Sequence, residues 1–599
     1  MAEGSRAGTK DRYVAVVDQD KVTDEVRDIA LKYDPLNQTP GEQGFHVTED
    51  GQLHIEDHKV IEEHRIVQNK IPNDAIEILR LPAERGELVH QYGPNGFRLY
   101  ELAAPVEDRV VGLLGPNGVG KSSALRILDG SLQPNLGRIE DPPAWAEIVQ
   151  RFRGTAAQRY LEKLEAGEVS TAYKPQRVDR IPEHHGGTPE QLLARRDERG
   201  RREQALEALE LEHVADRRVD ELSGGELQRL AIAATLVRDV DTYLVDEPSS
   251  YLDVGQRLTM ARGLAELAAD REVIVVDHDL VTLDVLADQL HVVYGQPGGF
   301  GVVSRPLSAR RGINQFLSGR LEDEEIRIRE QAITFREDPA RRAREGDPVV
   351  RVPSLTKRFD GFELTVDPGT IHAGEVVAVL GRNGLGKTTF ARLLAGALSP
   401  DEGTIEEEVA IAYKPQYLDP GFEGTVGTLL ASQVDVEAAG FQADIRGPFD
   451  LDPLWDEPVP SLSGGERQRV AVALALAREA DAYLLDEPSA YLDVERRMAL
   501  AGRLRRFASQ RSTPCLVIDH DLSLLDAVAD RVMVFEGDPG RRGHGRSPEP
   551  VREGLDRFLA SVDVTVRKDA RTGRPRANDP GSRKDRQQRE AGEYFASEA

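Results

Sequence analysis

The chain has 599 residues, of which 104 are acidic and 77 basic, and its formal net charge is −27. This balance is the opposite of a typical nucleic-acid-binding protein, and the length predicts three or four domains. Only 13 of the basic residues are lysine. We interpret this as adaptation to a salt-rich, haloarchaeal cytoplasm, the alternative being an ordinary acidic cytosolic enzyme. Because no run approaches about 18 apolar residues and no signal peptide is evident, we expect a cytoplasmic protein without membrane contact.

Residues 1–82 predict a small α+β domain. Residues 13–17 and 75–79 have the apolar composition of strands, and residues 45–55 predict a hairpin. Residues 58–70 predict a helix.

A first nucleotide-binding domain is predicted over residues 83–294. Its apolar strand 110–114 runs into GPNGVGKSS, a G-x-x-x-x-G-K-S phosphate loop whose backbone N–H groups cradle phosphates. Lys121 would neutralise phosphate oxygens, and the Ser122 hydroxyl would face Mg²⁺. The ATP contacts predicted in this loop are Gly115, Asn117, Gly118, Gly120, Lys121, Ser122 and Ser123.

The same domain carries the signature LSGGELQRL and then TYLVDEPSSYLD. Ser223 predicts a helix N-cap, and Gly224-Gly225 lets a phosphate approach that helix. Asp246 ends an apolar strand and can reach Mg²⁺, while Glu247 can orient or deprotonate the attacking water. An acidic pair alone is often a solvated strand end, but together with the phosphate loop it predicts an ATPase.

A second nucleotide-binding domain is predicted over residues 346–564, because the signature and the acidic pair recur 240 residues later. Its acidic pair is Asp486-Glu487. Its predicted ATP contacts are Gly381, Asn383, Gly384, Gly386, Lys387, Thr388 and Thr389 in the phosphate loop, and Ser463, Gly464 and Gly465 in the signature.

The first domain is longer than the second in one place. Lys121 lies 55 residues before Gln176, whereas Lys387 lies 29 residues before Gln416. The additional residues fall within about 142–170, and their helical alternation of apolar and charged side chains predicts a helix–loop–helix insert.

Residues 295–345 are rich in glycine and arginine and predict a hinge, and residues 565–599 predict a second hinge or tail. The arrangement resembles the ATP-binding cassette family, and within it the E subfamily of RNase L inhibitor (Rli) proteins. The resemblance rests on the insert after PNLGRIEDPPAW, the hinge RPLSARRGIN, the loops SSYLD and SAYLD, and the closing GRPRAN…GEYF. It implies an α/β fold with two tandem P-loop domains and a small ferredoxin-like domain in front.

The resemblance also implies two Mg²⁺–ATP molecules, each between the phosphate loop of one domain and the signature of the other. The catalytic residues would be Glu247, Glu487, His278, His520, Gln176 and Gln416. The Mg²⁺ ligands would be Ser122, Asp246, Gln176, Thr388, Asp486 and Gln416. Asp253 and Asp493 would couple the two sites. Tyr92 or Phe97, and Phe359 or Phe362, would stack on the adenines, although an aromatic residue before a strand is as often a core residue.

The function that the resemblance implies is ribosome recycling by a monomeric ATPase, with associated roles in translation initiation and ribosome biogenesis. The partners would be the small ribosomal subunit with its rRNA, release or recycling factors, and initiation factors. At molar salt the Debye length is only about 3 Å, so the net charge does not exclude RNA contact. The candidate rRNA contacts are Arg151, Arg153, Arg305, Arg310 and Arg311, unless these are solvated charges or internal salt bridges.

The first domain departs from this family. Rli proteins hold two [4Fe–4S] clusters on eight cysteines, one set spaced C-x₂-C-x₂-C-x₃-C-P. In that register this chain has Ile61, His64, Val67 and Ile71, and its only cysteine is Cys515. We therefore expect no iron–sulfur cluster. The predicted core that replaces it consists of Val60, Ile61, Ile66, Val67, Ile71, Ile76 and Ile78.

Other functions remain open. A transporter's ATPase subunit would need a permease and has no use for the first domain or the hinge. An F-subfamily translation factor would join its domains by a long charged helix, which the glycine-rich hinge does not match. A non-catalytic scaffold would not need two complete catalytic sets. A divergent paralogue that no longer splits ribosomes would have the same motifs.

Overall fold

The computed structural model describes residues 13–39, 41–82, 86–335, 346–405, 409–416 and 422–596. A small first unit precedes two α/β units of matching topology, which we name the first and second cassettes. Within these ranges no helix is long and apolar enough to cross a membrane.

The first unit pairs two strands that are distant in sequence. Its elements are β1 (Tyr13–Val17), α1 (Asp24–Tyr33), β2 (His46–Val47), β3 (Leu53–His54), α2 (Arg65–Gln68) and β4 (Ile76–Arg80). Strands β1 and β4 pair antiparallel, and β2 and β3 form the predicted hairpin. The unit docks on the first cassette through Asn95, whose backbone and side-chain oxygens accept the N–H groups of Val17 and Ile55, each at 3.0 Å.

The helix predicted over residues 58–70 is too long. The structure has 3₁₀ turns at Asp57–Lys59 and Glu62–His64, and only the four residues of α2 are α-helical. The buried residues among them are separated by three or four positions, so they share one face of this winding segment.

Two of the predicted core residues of the first unit, Ile61 and Ile66, are not fully buried. Val67 is fully buried and Ile71 is 9% exposed, but Ile61 is only partly buried. Ile66 is 46% exposed, because adjacent residues of a helix project in different directions and Val67 occupies the buried face of α2. Its predicted place in the core is therefore wrong.

The centre of the first unit contains a buried contact between a histidine and an aspartate instead of an all-apolar core. His64 Nε2 lies 3.2 Å from Asp34 Oδ1, and both side chains are fully buried. Asp34 also accepts the backbone N–H groups of Leu36, at 2.8 Å, and of Phe45. Burial alone would raise the pKa of Asp34, but the hydrogen bonds from His64 and from these N–H groups lower it.

The first cassette is built on a mixed sheet with a parallel centre. Its strands are β5 (Leu88–Gln91), β6 (Arg98–Tyr100), β7 (Val110–Leu114), β8 (Thr171–Lys174), β9 (Thr242–Asp246), β10 (Glu272–Val276), β11 (Gln289–Gln296), β12 (Phe300–Val303) and β13 (Leu307–Ser308). Its helices are α3 (Lys121–Leu128), α4 (Trp145–Arg151), α5 (Ala156–Glu165), α6 (Ile181–His184), α7 (Pro189–Arg196), α8 (Arg202–Ala208), α9 (Gly224–Leu236), α10 (Val254–Ala268) and α11 (Leu280–Leu286).

The strand order in this sheet is β5-β6-β12-β11-β7-β10-β9-β8, and β11, β7, β10, β9 and β8 run parallel. The phosphate loop, the acidic pair and His278 therefore follow the carboxyl ends of neighbouring strands, where ligands bind in α/β sheets. Helices α4 and α5 lie between α3 and β8, whereas the described residues between the helix Lys387–Leu394 and the strand Ile411–Lys414 of the second cassette contain no helix.

The segment predicted as a hinge follows the first cassette. Its elements are α12 (Ala309–Ser318), β14 (Arg320–Leu321) and β15 (Ile326–Arg327). Gly319 ends α12 in the left-handed conformation, at φ 74°.

The second cassette repeats the topology of the first. Its strands are β16 (Pro348–Val352), β17 (Leu355–Phe359), β18 (Phe362–Val366), β19 (Gly369–His372), β20 (Val376–Gly381), β21 (Ile411–Lys414), β22 (Ala482–Asp486), β23 (Cys515–Ile518), β24 (Arg531–Asp538), β25 (Arg542–Gly545) and β26 (Glu549–Pro550). Its helices are α13 (Lys387–Leu394), α14 (Val426–Ala431), α15 (Ala439–Phe441), α16 (Gly464–Ala477), α17 (Val494–Arg511), α18 (Leu522–Val528) and α19 (Val551–Ser561).

The C-terminal segment is folded. Its elements are β27 (Val566–Lys568), β28 (Pro575–Ala577), α20 (Arg583–Ala591) and β29 (Phe595–Ala596). Strands β27 and β28 form an antiparallel hairpin that contacts both cassettes through buried charges.

Candidate nucleotide-binding sites

Each phosphate loop forms a tight turn between a buried strand and a helix. In the first cassette Gly118 and Gly120 have φ of 78° and 88°, which side chains rarely adopt. Lys121 is buried, and its Nζ donates to the carbonyl oxygens of Gly115 at 2.9 Å and Pro116 at 2.6 Å. The ammonium thus stands inside the loop, ready to meet a phosphate.

The second phosphate loop has the same geometry. Gly384 and Gly386 have φ of 76° and 90°. Lys387 Nζ donates to the carbonyl oxygens of Gly381 and Arg382, each at 2.8 Å.

The residues present fit a hard divalent cation beside each loop. Ser122 Oγ donates to Asp246 Oδ2 at 2.7 Å, and Asp246 Oδ1 is buried without a hydrogen-bond partner. A hydroxyl oxygen beside an orphaned carboxylate oxygen is the donor set that Mg²⁺ takes. Burial and the charge of Glu247 raise the pKa of Asp246 to about 6, which an added cation would reverse. In the second cassette Asp486 accepts a hydrogen bond from Thr388.

Glu247 is surrounded by the predicted catalytic partners. Gln176 Nε2 donates to Glu247 Oε1 at 2.7 Å, and His278 Nε2 lies 3.5 Å from the same oxygen. Burial alone would raise the pKa of Glu247, but His278 and Lys121 lower it to about 2. This carboxylate is therefore ionised and can orient water.

The second site is not electrostatically identical. His520 Nε2 lies 3.9 Å from Glu487 Oε1, and burial lowers the pKa of His520 well below its usual value. Burial and the charge of Asp486 raise the pKa of Glu487 to about 7, although Gln416 donates a hydrogen bond to it.

The signatures begin helices as the sequence predicts. Ser223 and Ser463 are the N-caps of α9 and α16, and each accepts the backbone N–H three residues on at 3.4 Å. Each serine and the two glycines after it therefore lie at a helix N-terminus, where backbone N–H groups attract phosphate.

The two cassettes contact each other at the sites. Asn117 N donates to Asp493 Oδ2 at 3.1 Å, and Asn383 N donates to Asp253 Oδ2 at 2.8 Å. Each aspartate also caps the helix that follows it, α17 or α10. Each phosphate loop is therefore tied directly to the other cassette.

A cavity of 1040 Å³ lies between the cassettes. Its lining brings together most of the residues predicted for one site and the opposite signature. They include Tyr92, Phe97, Asn117, Gly118, Gly120, Lys121, Ser122, Ser123, Gln176, Glu247, Ser463, Gly464 and Gly465, and also Ser223, Gly224 and Gln416. Tyr92 OH lies 2.9 Å from Ser123 Oγ. Phe359 is 46% exposed and stands 6.4 Å from Phe362, ring centre to ring centre, away from this lining.

Three of the five predicted RNA-contacting arginines pair with acidic residues of the chain. Arg151 pairs with Glu87, Arg310 Nε lies 3.3 Å from Asp569, and Arg311 Nη2 lies 2.5 Å from Asp323. These three arginine side chains remain about half exposed. The backbone N–H of Arg305 donates to Glu324 at 2.7 Å, and Arg153 lies in the exposed turn between α4 and α5.

Two arginines at the interface between the cassettes were not predicted from the sequence. Arg257 Nη1 donates to Asp279 at 2.6 Å and to the backbone oxygen of His520, in the other cassette, at 3.4 Å. Arg497 makes the equivalent bonds to Asp521 at 2.6 Å and to His278 at 3.5 Å. The repeated spacing YLDVxxR was the signal that could have identified them.

Comparison with known proteins supports this description. The family described as ABC transporter matches residues 106–250 and 367–490. An uncharacterized ABC transporter ATP-binding protein of Methanocaldococcus jannaschii is 45% identical over 534 residues, which cover 88% of each chain. Translation initiation factor RLI1 of Saccharomyces cerevisiae is 42% identical over 542 residues, which cover 88% of this chain and 89% of the relative.

Solved structures agree. A chain in the ribosome-bound archaeal Pelota and ABCE1 is 44% identical, with a TM-score of 0.92 over 98% of this chain and 99% of that one. A chain in the complex of archaeal stalk protein aP1 and the ribosome recycling factor aABCE1 is 48% identical, with a TM-score of 0.80 over 86% and 100%. With its two tandem ABC ATPase domains and its small N-terminal unit, the chain belongs to the ABCE1/RLI1 family.

Proposed function

We propose that this protein is a ribosome-recycling ATPase that binds and hydrolyses Mg²⁺–ATP at two composite sites. The observation that carries the proposal is the reciprocal pair of bonds from Asn117 to Asp493 and from Asn383 to Asp253. Because each phosphate loop contacts the opposite cassette, occupancy of a site and the relative position of the cassettes are linked.

The residues of each site divide the chemistry. Bound Mg²⁺–ATP supplies the phosphoanhydride bond and a metal charge that stabilises the reacting phosphate. Ser122 and Asp246 would hold the metal, and Lys121 would neutralise phosphate oxygens. Glu247 would orient or deprotonate water. Gln176 would hold the Glu247 carboxylate, and His278 would contact the γ-phosphate. The second site would use Thr388, Asp486, Lys387, Glu487, Gln416 and His520.

The output of this chemistry is movement of the cassettes. ATP binding would draw each signature onto the opposite phosphate loop, and hydrolysis would release it. The first unit would follow, since it is docked on Asn95 of the first cassette and its Lys21 Nζ lies 2.9 Å from Glu457 of the second. A unit attached to both cassettes can transmit their closure to a bound particle.

The partners we propose are the small ribosomal subunit with its rRNA, release or recycling factors, and initiation factors. The names of the similar proteins support this, since one is a translation initiation factor and another is a ribosome recycling factor. The protein would act in the cytoplasm as a monomer whose two cassettes pair internally. The five arginines named above are the proposed rRNA contacts, together with the α4–α5 insert.

We also propose that the first unit folds without an iron–sulfur cluster. The residues in the cluster register offer no thiolate, and Cys515 is buried in β23 of the second cassette. Packing of Val67 and Ile71 and the Asp34–His64 pair would supply the stabilisation. The excess of acidic residues and the scarcity of lysine support function in a salt-rich, haloarchaeal cytoplasm.

Co-sedimentation with small ribosomal subunits tests this function. Purified protein should migrate with the subunit at high KCl in the presence of a non-hydrolysable ATP analogue, and not without nucleotide. If the protein hydrolyses ATP but does not bind the small subunit, it is a paralogue that acts on another partner.

A further inference from the structure

Two buried lysines, one in each cassette, contact the backbone of the acidic pair. Lys174 ends β8 and Lys414 ends β21, and each is 1% exposed. Lys174 Nζ donates to the carbonyl oxygens of Asp246 at 2.8 Å and Glu247 at 3.2 Å. Lys414 Nζ donates to those of Asp486 at 2.7 Å and Glu487 at 3.4 Å. A buried ammonium is unfavourable unless it is fully bonded, so its presence in both cassettes needs a reason.

The peptide that these lysines hold has an unusual conformation. Glu247 and Glu487 have φ of 46° and 48°, a region that residues other than glycine rarely occupy. The backbone N–H of Glu247 donates to Val276 at 2.8 Å, and its carbonyl oxygen also accepts Gln228 Nε2 at 2.8 Å. The backbone on both sides of the glutamate Cα is therefore fixed, and the side chain is aimed by these bonds.

The same lysine joins this peptide to the loop that carries the glutamine. Lys174 lies two residues before Gln176, whose Nε2 donates to Glu247 Oε1 at 2.7 Å. Its ammonium also bonds the backbone carbonyl oxygen of Asp246 at 2.8 Å. One side chain thus influences the metal ligand, the carboxylate and the glutamine together.

We propose that Lys174 and Lys414 are positioning residues for ATP hydrolysis, which hold the backbone of the acidic pair so that Glu247 and Glu487 face the reacting phosphate. This inference rests on the ATP hydrolysis proposed above. Neither lysine lines the cavity between the cassettes. We therefore expect their replacement to slow the chemical step without changing ATP affinity.

The test compares Lys174→Met and Lys414→Met with Lys584→Met, an exposed lysine on α20. Methionine keeps the length of the side chain but leaves the two carbonyl oxygens without the ammonium, so the thermal unfolding of each variant is compared with that of the control. We expect kcat to fall on the order of 10²-fold, the loss typical of a misplaced catalytic group, with KM for ATP unchanged. The Mg²⁺ concentration for half-maximal activity should rise. Binding of a non-hydrolysable ATP analogue should match the control.

The outcomes separate the inference from the proposed function. If the wild-type protein does not hydrolyse ATP, the proposed function fails. If it does and Lys174→Met has the kcat of Lys584→Met, the positioning role is overturned. Parallel loss of kcat, analogue binding and thermal stability would indicate a merely structural role and would overturn it too. Should the methionine variants not fold, Lys174→Gln, which keeps one N–H donor, is judged by the same separation of kcat from KM.

Discussion

Arg574 and Asp284 form a fully buried ion pair that joins the C-terminal hairpin to the first cassette. Arg574 Nη2 donates to Asp284 Oδ1 at 3.0 Å, and the two side chains are 0% and 1% exposed. Lys568, on the other strand of the hairpin, lies 3.2 Å from Asp526. Asp284 and Asp526 each stand six residues after the site histidine of their cassette. One hairpin therefore holds the helices that follow both histidines.

Breaking this pair should destabilise the whole chain. Arg574→Met leaves the Asp284 carboxylate buried without its main partner, which typically costs about 3–5 kcal/mol. Urea unfolding measures the effect, with Arg583→Met on exposed α20 as the control. Equal midpoints for the two variants would show that the hairpin does not stabilise the cassettes.

Replacing both site glutamates should stop turnover without preventing ATP binding. The Glu247→Gln/Glu487→Gln variant keeps the shape of each site but removes the base, so the steady-state rate should fall by about 10²–10⁴-fold. Phosphate release and retention of labelled ATP are the measurements. Wild-type turnover in this variant would mean that another group activates water.

The first unit offers two adjacent positions for a matched comparison. Val67 is fully buried and Ile66 is 46% exposed. Val67→Asp should destabilise the unit by about 3 kcal/mol, because a carboxylate would replace packed methyl groups. Ile66→Asp should have little effect. Protease resistance of residues 13–82 in the full-length protein distinguishes the two, and equal resistance would contradict the packing described here.

Anaerobic purification tests the proposed absence of a cluster. The protein should contain no iron and show no broad absorbance near about 400 nm, because the cluster needs cysteine thiolates. Stoichiometric iron would contradict the proposal.

Acid should weaken the first unit through Asp34. Its pKa is lowered in the folded state, so its contribution to stability is complete above the unfolded value of 3.8 and is lost as the pH falls through the folded value. The difference in hydrogen-exchange protection between wild type and Asp34→Asn should therefore shrink as the pH falls below about 4. A difference that grows on acidification would reverse the sign that we assign.

Reversing the predicted hinge charges should weaken ribosome contact. Because Arg310 and Arg311 also pair with Asp569 and Asp323, thermal unfolding checks that the variant is folded. Arg310→Glu/Arg311→Glu should weaken small-subunit binding by on the order of tenfold or more, since each lost phosphate contact lowers affinity. ATPase activity without ribosomes should be unchanged. Arg541→Glu, at a side chain that is 82% exposed on the second cassette, is the control. Binding equal to that of the control would remove the hinge from the interface.

The sequence predicted the elements whose chemistry is local. The phosphate loops, the capped signatures and the strands that end in Asp246 and Asp486 follow from residues adjacent in the chain. The family resemblance, rather than spacing, brought the two halves of each site together. Contacts between distant segments were missed, and Arg574 looked like one more charge in a polar tail although it is fully buried against Asp284.

Burial in the first unit was predicted less well for a related reason. Aligning Ile61, His64, Val67 and Ile71 with a cysteine pattern suggested an apolar replacement, but no local pattern predicted that Asp34 would meet His64. Residues of similar hydropathy on a short helix, such as Ile66 and Val67, can be assigned to a face only when the direction of the helix is known.

The most direct test of the central claim is ribosome splitting by the purified protein, followed by sedimentation at high KCl with and without release factors. We expect Mg²⁺–ATP to convert post-termination ribosomes into free subunits, with the protein bound to the small one. Ribosomes that stay intact while the same preparation hydrolyses ATP at full rate would contradict it.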